Sequence, residues 1–183
     1  MNRFVVFIFI VSSFFWGCEN APTRQNKLPN IILLLADDMG YGDFEMIGGA
    51  TKTPHLNRLA SEGLIFKNFY AAGPNCSPSR AGLMTGKSPA KVGMYSYRPP
   101  DHPLHLPRQE VTLAELLKTK GYRTAHFGKW HLGALSHDSE LEHPQPHEHG
   151  FDYSLGTENN AEPSHLNPNN FVRNGKNLGI VEG

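Results

Sequence analysis

Asn30-Ile31-Ile32-Leu33-Leu34-Leu35-Ala36 is an unbroken apolar run, and Asp37-Asp38 follows it with no spacer. A strand with one face in water alternates apolar and polar side chains. A run without alternation suits a strand buried on both faces, as at the centre of a parallel sheet. A short buried helix shares this composition, but the length of the run and its acidic stop favour the strand. The chain therefore reads as α/β, and in open α/β sheets function collects beyond the carboxyl ends of the strands. Two adjacent carboxylates there repel each other unless a cation or a proton lies between them. Hard oxygen donors so placed suit Ca2+ or Mg2+, with a solvated Asp-Asp turn as the plainer alternative.

Downstream, Thr53-Pro54 opens a short helix that Gly63 closes, with Leu56, Leu59 and Ala60 on one face for packing. Residues 64–70, rich in aromatic and branched side chains, read as a second strand. It leads into Cys76-Ser77-Pro78-Ser79-Arg80-Ala81-Gly82-Leu83-Met84-Thr85-Gly86. Ser77 suits an N-cap, Pro78 a first helical position and Gly86 a C-terminal stop. Cys76 then lies at the helix N-terminus, where unpaired N–H groups favour negative charge, and Arg80 follows about one turn later. A thiol in that electropositive setting is a candidate nucleophile. A buried structural cysteine in a Pro-capped helix is the alternative.

The proline- and histidine-rich connector 87–111 excludes regular helix and is expected to wrap the rim of the site. Thr112 and Glu115 form a capping box for a helix that Gly121 ends, and residues 122–127 read as a third strand. Gly128-Lys129-Trp130-His131-Leu132-Gly133 follows. On an extended segment Lys129 and His131 share a face, where a cation and an imidazole can hold an oxyanion. Residues 136–149 carry His137, His143, His147 and His149 beside three glutamates, but without H-E-x-x-H spacing or a cysteine ligand. A solvated loop is favoured there over a zinc site. The polar, Asn-rich stretch 157–177 is expected to shape a substrate cleft.

The 183 residues are 39% hydrophobic, with 17 basic and 17 acidic side chains and a formal net charge of zero. That balance argues against a nucleic-acid partner. Residues 1–18 carry Arg3, then an apolar stretch, then Gly17-Cys18, and read as an export signal of lipoprotein type, with Cys18 as the lipidation candidate and membrane tether. Plain secretion and an uncleaved anchor are the other readings. Residues 19–29 form a polar linker with two prolines. With Cys18 in the export segment, Cys76 is left without a disulfide partner.

Several ordered motifs carry a resemblance. Cys76-x-Pro78-Ser79-Arg80 with Leu83-Met84-Thr85-Gly86, Ala36-Asp37-Asp38-Met39-Gly40-Tyr41-Gly42-Asp43, and Gly121-Tyr122 through Gly128-Lys129-Trp130-His131-Leu132-Gly133 resemble the signatures of the type I sulfatases, in the alkaline phosphatase superfamily. His149-Gly150-Phe151-Asp152 resembles a further, structural element of that family. The resemblance implies a doubly wound, mostly parallel sheet, of which residues 30–183 are the N-terminal part. It implies hydrolysis of sulfate esters, aryl sulfates or sulfated glycans; the export segment implies that this happens outside the cell, periplasmic or surface-exposed, with possible lipid anchoring.

In that family the cysteine, here Cys76, is oxidised by a maturation enzyme to formylglycine. One hydroxyl of the hydrated aldehyde attacks sulfur and displaces the alcohol, and the second loses a proton and expels sulfate, restoring the aldehyde. Asp37, Asp38 and residue 76 would ligate Ca2+, with Mg2+ second; Arg80 would orient the activated group; Lys129 and His131 would bind the sulfate or the formylglycine hydroxyls. The family's Asp-Asn pair and its further His and Lys ligands have no counterpart here. Because Ca2+ takes about six to eight oxygens and a sheet cut midway exposes unpaired edges, these residues alone are expected to be inactive and marginally stable. Two other classes stay open: a phosphate or phosphonate ester hydrolase of the same superfamily, and a non-catalytic, glycan-binding or vestigial lipoprotein.

Overall fold

The computed structural model describes residues 28–135 and 140–182. The export segment, Cys18, most of the linker and His137 lie outside the described residues. The chain divides into a unit ending at Ala36 and a second unit, Asp37–Gly183. No helix among the described residues is long and apolar enough to cross a membrane.

Among the described residues, three α-helices and four short strands order the second unit. The helices are α1 (Pro54–Glu62), α2 (Cys76–Thr85) and α3 (Leu113–Thr119). The strands are β1 (Ala125–Phe127), β2 (Tyr153–Gly156), β3 (Val172–Arg173) and β4 (Lys176–Asn177), which form one sheet in the order β1-β2-β3-β4. β1 and β2 are parallel, with Ala125 opposite Tyr153; the β2–β3 and β3–β4 pairs are antiparallel. Asn174 and Gly175, both at positive φ, make the two-residue turn joining β3 to β4. Asn-Gly adopts that backbone readily and matches the twist of the strands it joins.

Local chemistry explains where the helices begin and end. The Thr112 hydroxyl accepts from Glu115 N at 3.3 Å, and Thr112 N donates to the Glu115 carboxylate at 2.8 Å, which closes the expected capping box on α3. α2 ends as expected at Gly86, at φ 65°, where Gly86 N donates to Gly82 O. Its start differs from expectation. Asn75 is the N-cap and Cys76 the first helical residue, because the Ser77 hydroxyl is taken by a hydrogen bond from Arg98 N. Pro78 is still tolerated in the first turn, where its missing N–H costs no helical bond.

Ala81 of α2 packs with Val92, Met94, Leu106, Trp130, Leu132, Leu135 and Val172 in the buried core. Past β1 the backbone keeps alongside the segment that follows β2. Gly128 N donates to Leu155 O, Trp130 N to Thr157 O and His131 N to Glu158 O. The approach is so close that a Cβ on Gly156 would lie 1.8 Å from Gly128 O, so only glycine fits there.

Two expected strands are not formed. Residues 28–36 carry no strand, and Ile32 is 82% exposed; residues 64–70 likewise carry none, with Phe69 81% exposed. An apolar run becomes a buried strand only when strands pair on either side of it, and no such pairing occurs among the described residues. The apolar face of α1 is also exposed at Leu56 and Leu59. That helix is instead fastened by Glu45, whose carboxylate accepts from Lys52, Thr53 N and Asn57.

Thr112 also donates to His149 O at 2.7 Å inside the core. Thr112→Ala therefore loses both a cap and a buried bond, a loss of about 1–2 kcal/mol. We expect a lower thermal midpoint by circular dichroism, with Thr112→Ser recovering most of it.

Candidate functional site

Asp37, Asp38 and Cys76 converge: one ligand atom from each lies within 4.8 Å of the others. Asp38 reaches this position with a left-handed φ of 54°, which its short polar side chain tolerates better than most. The Cys76 Sγ lies 3.8 Å from Asp38 Oδ1. From the next turn of α2, Arg80 donates one Nη to Asp37 at 2.9 Å and the other to Lys129 O at 2.5 Å. The Lys129 ammonium donates to the second Asp37 oxygen at 2.7 Å. The structure thus brings together five of the residues singled out in the sequence: Asp37, Asp38, Cys76, Arg80 and Lys129.

Partial burial would raise the Asp37 carboxyl pKa. The two hydrogen-bonded cations outweigh it and hold the group down to about 2. Arg80 Nε is buried without a hydrogen-bond partner. The site therefore holds a committed carboxylate, an uncommitted guanidinium N–H and a free thiol. A neutral chain has concentrated charge locally by fold rather than by composition.

The sixth residue, His131, is placed differently from expectation. The segment is not extended: His131 has φ 57°, which breaks the alternation that would put it on the Lys129 face. Its ring is fully buried, Nε2 faces Arg98 O at 2.8 Å, and Nδ1 has no partner. A carbonyl oxygen only accepts, so Nε2 carries the proton and Nδ1 is an acceptor. Burial first, then the nearby Lys129, Arg80 and Arg98 charges, push the ring's pKa down to about 4 despite the Arg98 bond. A neutral ring with only an acceptor left cannot donate to an oxyanion.

The stretch beyond residue 139 is likewise not a solvated loop. His143, Gln145 and His149 are buried. Gln145 donates to Ala134 O and His143 O, while His143 Nδ1 accepts from Ala134 N. Asp152 has a structural role, accepting from Thr124 N and pairing with Lys118. Among the described residues, the group able to hold a metal is Asp37, Asp38 and Cys76. The two carboxylates fit a hard divalent cation; the soft thiol does not, whereas an oxygen at position 76 would.

Sequence reasoning missed Arg98 and Glu158. Arg98 is fully buried and pairs with Glu158, although it sits in the connector to which no chemistry was assigned. An arginine among prolines and histidines carries no periodic or motif signal, so only the fold exposes it.

His126, His131 and His143 all have pKa values pushed down to about 4, with burial the largest cause in each. The unfolded chain binds protons on these rings below their ordinary 6.5, whereas the folded chain does not. Stability is therefore lost as pH falls from 6.5 to about 4. Asp37 extends the loss: its contribution is complete above its ordinary 3.8 and disappears as pH falls through about 2. Urea midpoints across this range should decline on acidification, and a flat profile between 6.5 and 4 would contradict the burial of these rings.

A family model described as Sulfatase matches residues 29–177. Over 152 residues the chain is 44% identical to human N-acetylgalactosamine-6-sulfatase, covering 78% of this chain and 27% of that protein. It is 42% identical to human steryl-sulfatase over 155 residues, covering 81% and 26% respectively. A solved Bacteroides thetaiotaomicron structure, described under the metabolism of multiple glycosaminoglycans, superposes with a TM-score of 0.69 at 35% identity, over 84% of this chain and 32% of that one. The chain thus spans about a quarter of the length of the curated relatives it matches.

Proposed function

The chain belongs to the sulfatase family, whose fold is alkaline-phosphatase-like, and on that premise we propose that it supplies the nucleophile and part of the metal site of a sulfuric ester hydrolase. The convergence of Asp37, Asp38 and Cys76, with Arg80 and Lys129 closing on Asp37, carries this reading. In the proposed organisation, residues 1–18 direct export, residues 19–29 link, and residues 30–183 are the N-terminal part of the catalytic domain. Substrates are sulfated glycans or aryl sulfates met in the periplasm or at the cell surface, with Cys18 as an optional lipid tether.

When Cys76 is converted to formylglycine by a maturation enzyme, the hydrated aldehyde supplies one hydroxyl that attacks sulfur and displaces the alcohol of the ester, and a second whose deprotonation expels sulfate and restores the aldehyde. Asp37 and Asp38 would hold Ca2+, or Mg2+ as second choice, and that ion would draw charge from the sulfate oxygens. Arg80 spans Asp37 and the Lys129 carbonyl and keeps its Nε free for an oxygen at position 76 or on the substrate. The Lys129 ammonium neutralises Asp37 and is available to a sulfate oxygen once a cation competes for that carboxylate. His131, an acceptor at Nδ1, suits a bond from a hydroxyl rather than one to sulfate.

Two carboxylates and residue 76 supply fewer than the roughly six to eight oxygens that Ca2+ takes. The 183-residue chain alone should therefore show no detectable turnover of an aryl sulfate. The deciding experiment joins this sequence to the remaining length of a family relative and co-expresses it with a formylglycine-generating enzyme. The Cys76 peptide is then weighed, and aryl sulfate is assayed beside aryl phosphate. An aldehyde at position 76 with a preference for sulfate is expected, and Lys129→Ala should lower kcat by roughly a hundred- to a thousandfold. A preference for phosphate would move the assignment to the ester-hydrolase alternative, and an unconverted thiol without turnover to the non-catalytic one.

A further inference from the structure

Arg98 has no solvent exposure, and every group it offers is used. Its Nε donates to Leu104 O at 2.7 Å, one Nη pairs with the Glu158 carboxylate, and the other lies 3.4 Å from His143 Nδ1. Its main chain is committed as well: the N–H donates to Ser77 Oγ, next to Cys76, and the carbonyl accepts from His131 Nε2. Glu158 closes the circuit, because its carbonyl accepts from His131 N at 2.7 Å. The imidazole side chain and the main-chain N–H of His131 are therefore gripped by two residues that also grip each other. This loop holds His131 at a left-handed φ, a conformation that an unconstrained histidine seldom keeps.

We propose that Arg98 and Glu158 are positioning residues that lock His131 in the Nε2–H tautomer, leaving Nδ1 as an uncommitted acceptor. Arg98 touches no reacting atom. It acts through its carbonyl, which stays in register with Nε2 only while the guanidinium is anchored to Leu104 O and Glu158. The same residue ties the first turn of α2 to the His131 segment through Ser77, so the nucleophile and the imidazole are set by one buried anchor. Its bearing on catalysis rests on the sulfatase reading; the tautomer lock does not.

Ring-nitrogen NMR on the selectively 15N-histidine-labelled chain tests it. In the wild type, His131 should show one protonated and one unprotonated nitrogen, with the proton on Nε2. In Arg98→Met the two signals should move toward averaged positions as the tautomers mix, while circular dichroism shows retained fold. Arg98→Lys, which keeps the Glu158 pair, should restore most of the wild-type pattern. If Arg98→Met does not fold, Glu158→Gln decides, because it keeps an acceptor but weakens the grip; partial mixing is expected. A folded Arg98→Met or, failing that, a folded Glu158→Gln with His131 still wholly Nε2–H overturns the proposal. In the matured, extended protein, Arg98→Met should lower kcat about tenfold on aryl sulfate with little change in KM. Loss of activity in the wild type itself would count against the sulfatase reading and leave the NMR result standing.

Discussion

The Arg98 guanidinium is shut away from water, so the chain itself must supply all of its hydrogen-bond acceptors. A buried charge left without partners costs several kcal/mol, and this requirement constrains everything packed around it. Leu104 O comes from the connector and the carboxylate from Glu158 beyond β2, while the Arg98 main-chain N–H donates to Ser77 at the start of α2. Those three segments are far apart in sequence, and they meet where Trp130, Met94 and Leu106 fill the core. The apolar cluster provides most of the driving force, while the arginine fixes which residues face which.

A second constraint is electrostatic. Asp37 is partly exposed, yet both of its oxygens are held by cations, one from α2 and one from the segment after β1. The pairs sit close enough to solvent that neither stabilises greatly alone. Their effect is positional: they gather a thiol, two carboxylates and two cations in a chain with no net charge. The same arrangement leaves Arg80 Nε buried and unbonded, a cost that a site can bear when a ligand later uses the group.

The parts of the fold legible in sequence are those set by neighbouring residues. The Thr112–Glu115 box, the Gly86 stop and the Pro54 start need only a few residues to be recognised, and each is in place. The Asn174-Gly175 turn belongs to the same class. Its sequence carries a hairpin signal that reading residues 157–177 as a polar stretch overlooked. The run at 30–36 is the opposite case. Its composition describes a strand buried on both faces, but the hydrogen-bond partners a strand needs come from elsewhere in a sheet, and Ile32 stays exposed.

By itself, the sequence determined the Thr112–Glu115 capping box, the Gly86 stop, the candidate nucleophile, the paired carboxylates and the membership that their ordered motifs imply. These depend on residue identity and short spacing, which are local. Only the tertiary structure decided that Arg80 and Lys129 converge on one carboxylate, that Ser77 binds Arg98 rather than capping its helix, and that the His131 ring donates to the Arg98 carbonyl. Each of these depends on groups tens of residues apart competing for the same donor or acceptor. Which group wins is set by burial, because an unpaired polar atom costs most where water cannot reach it.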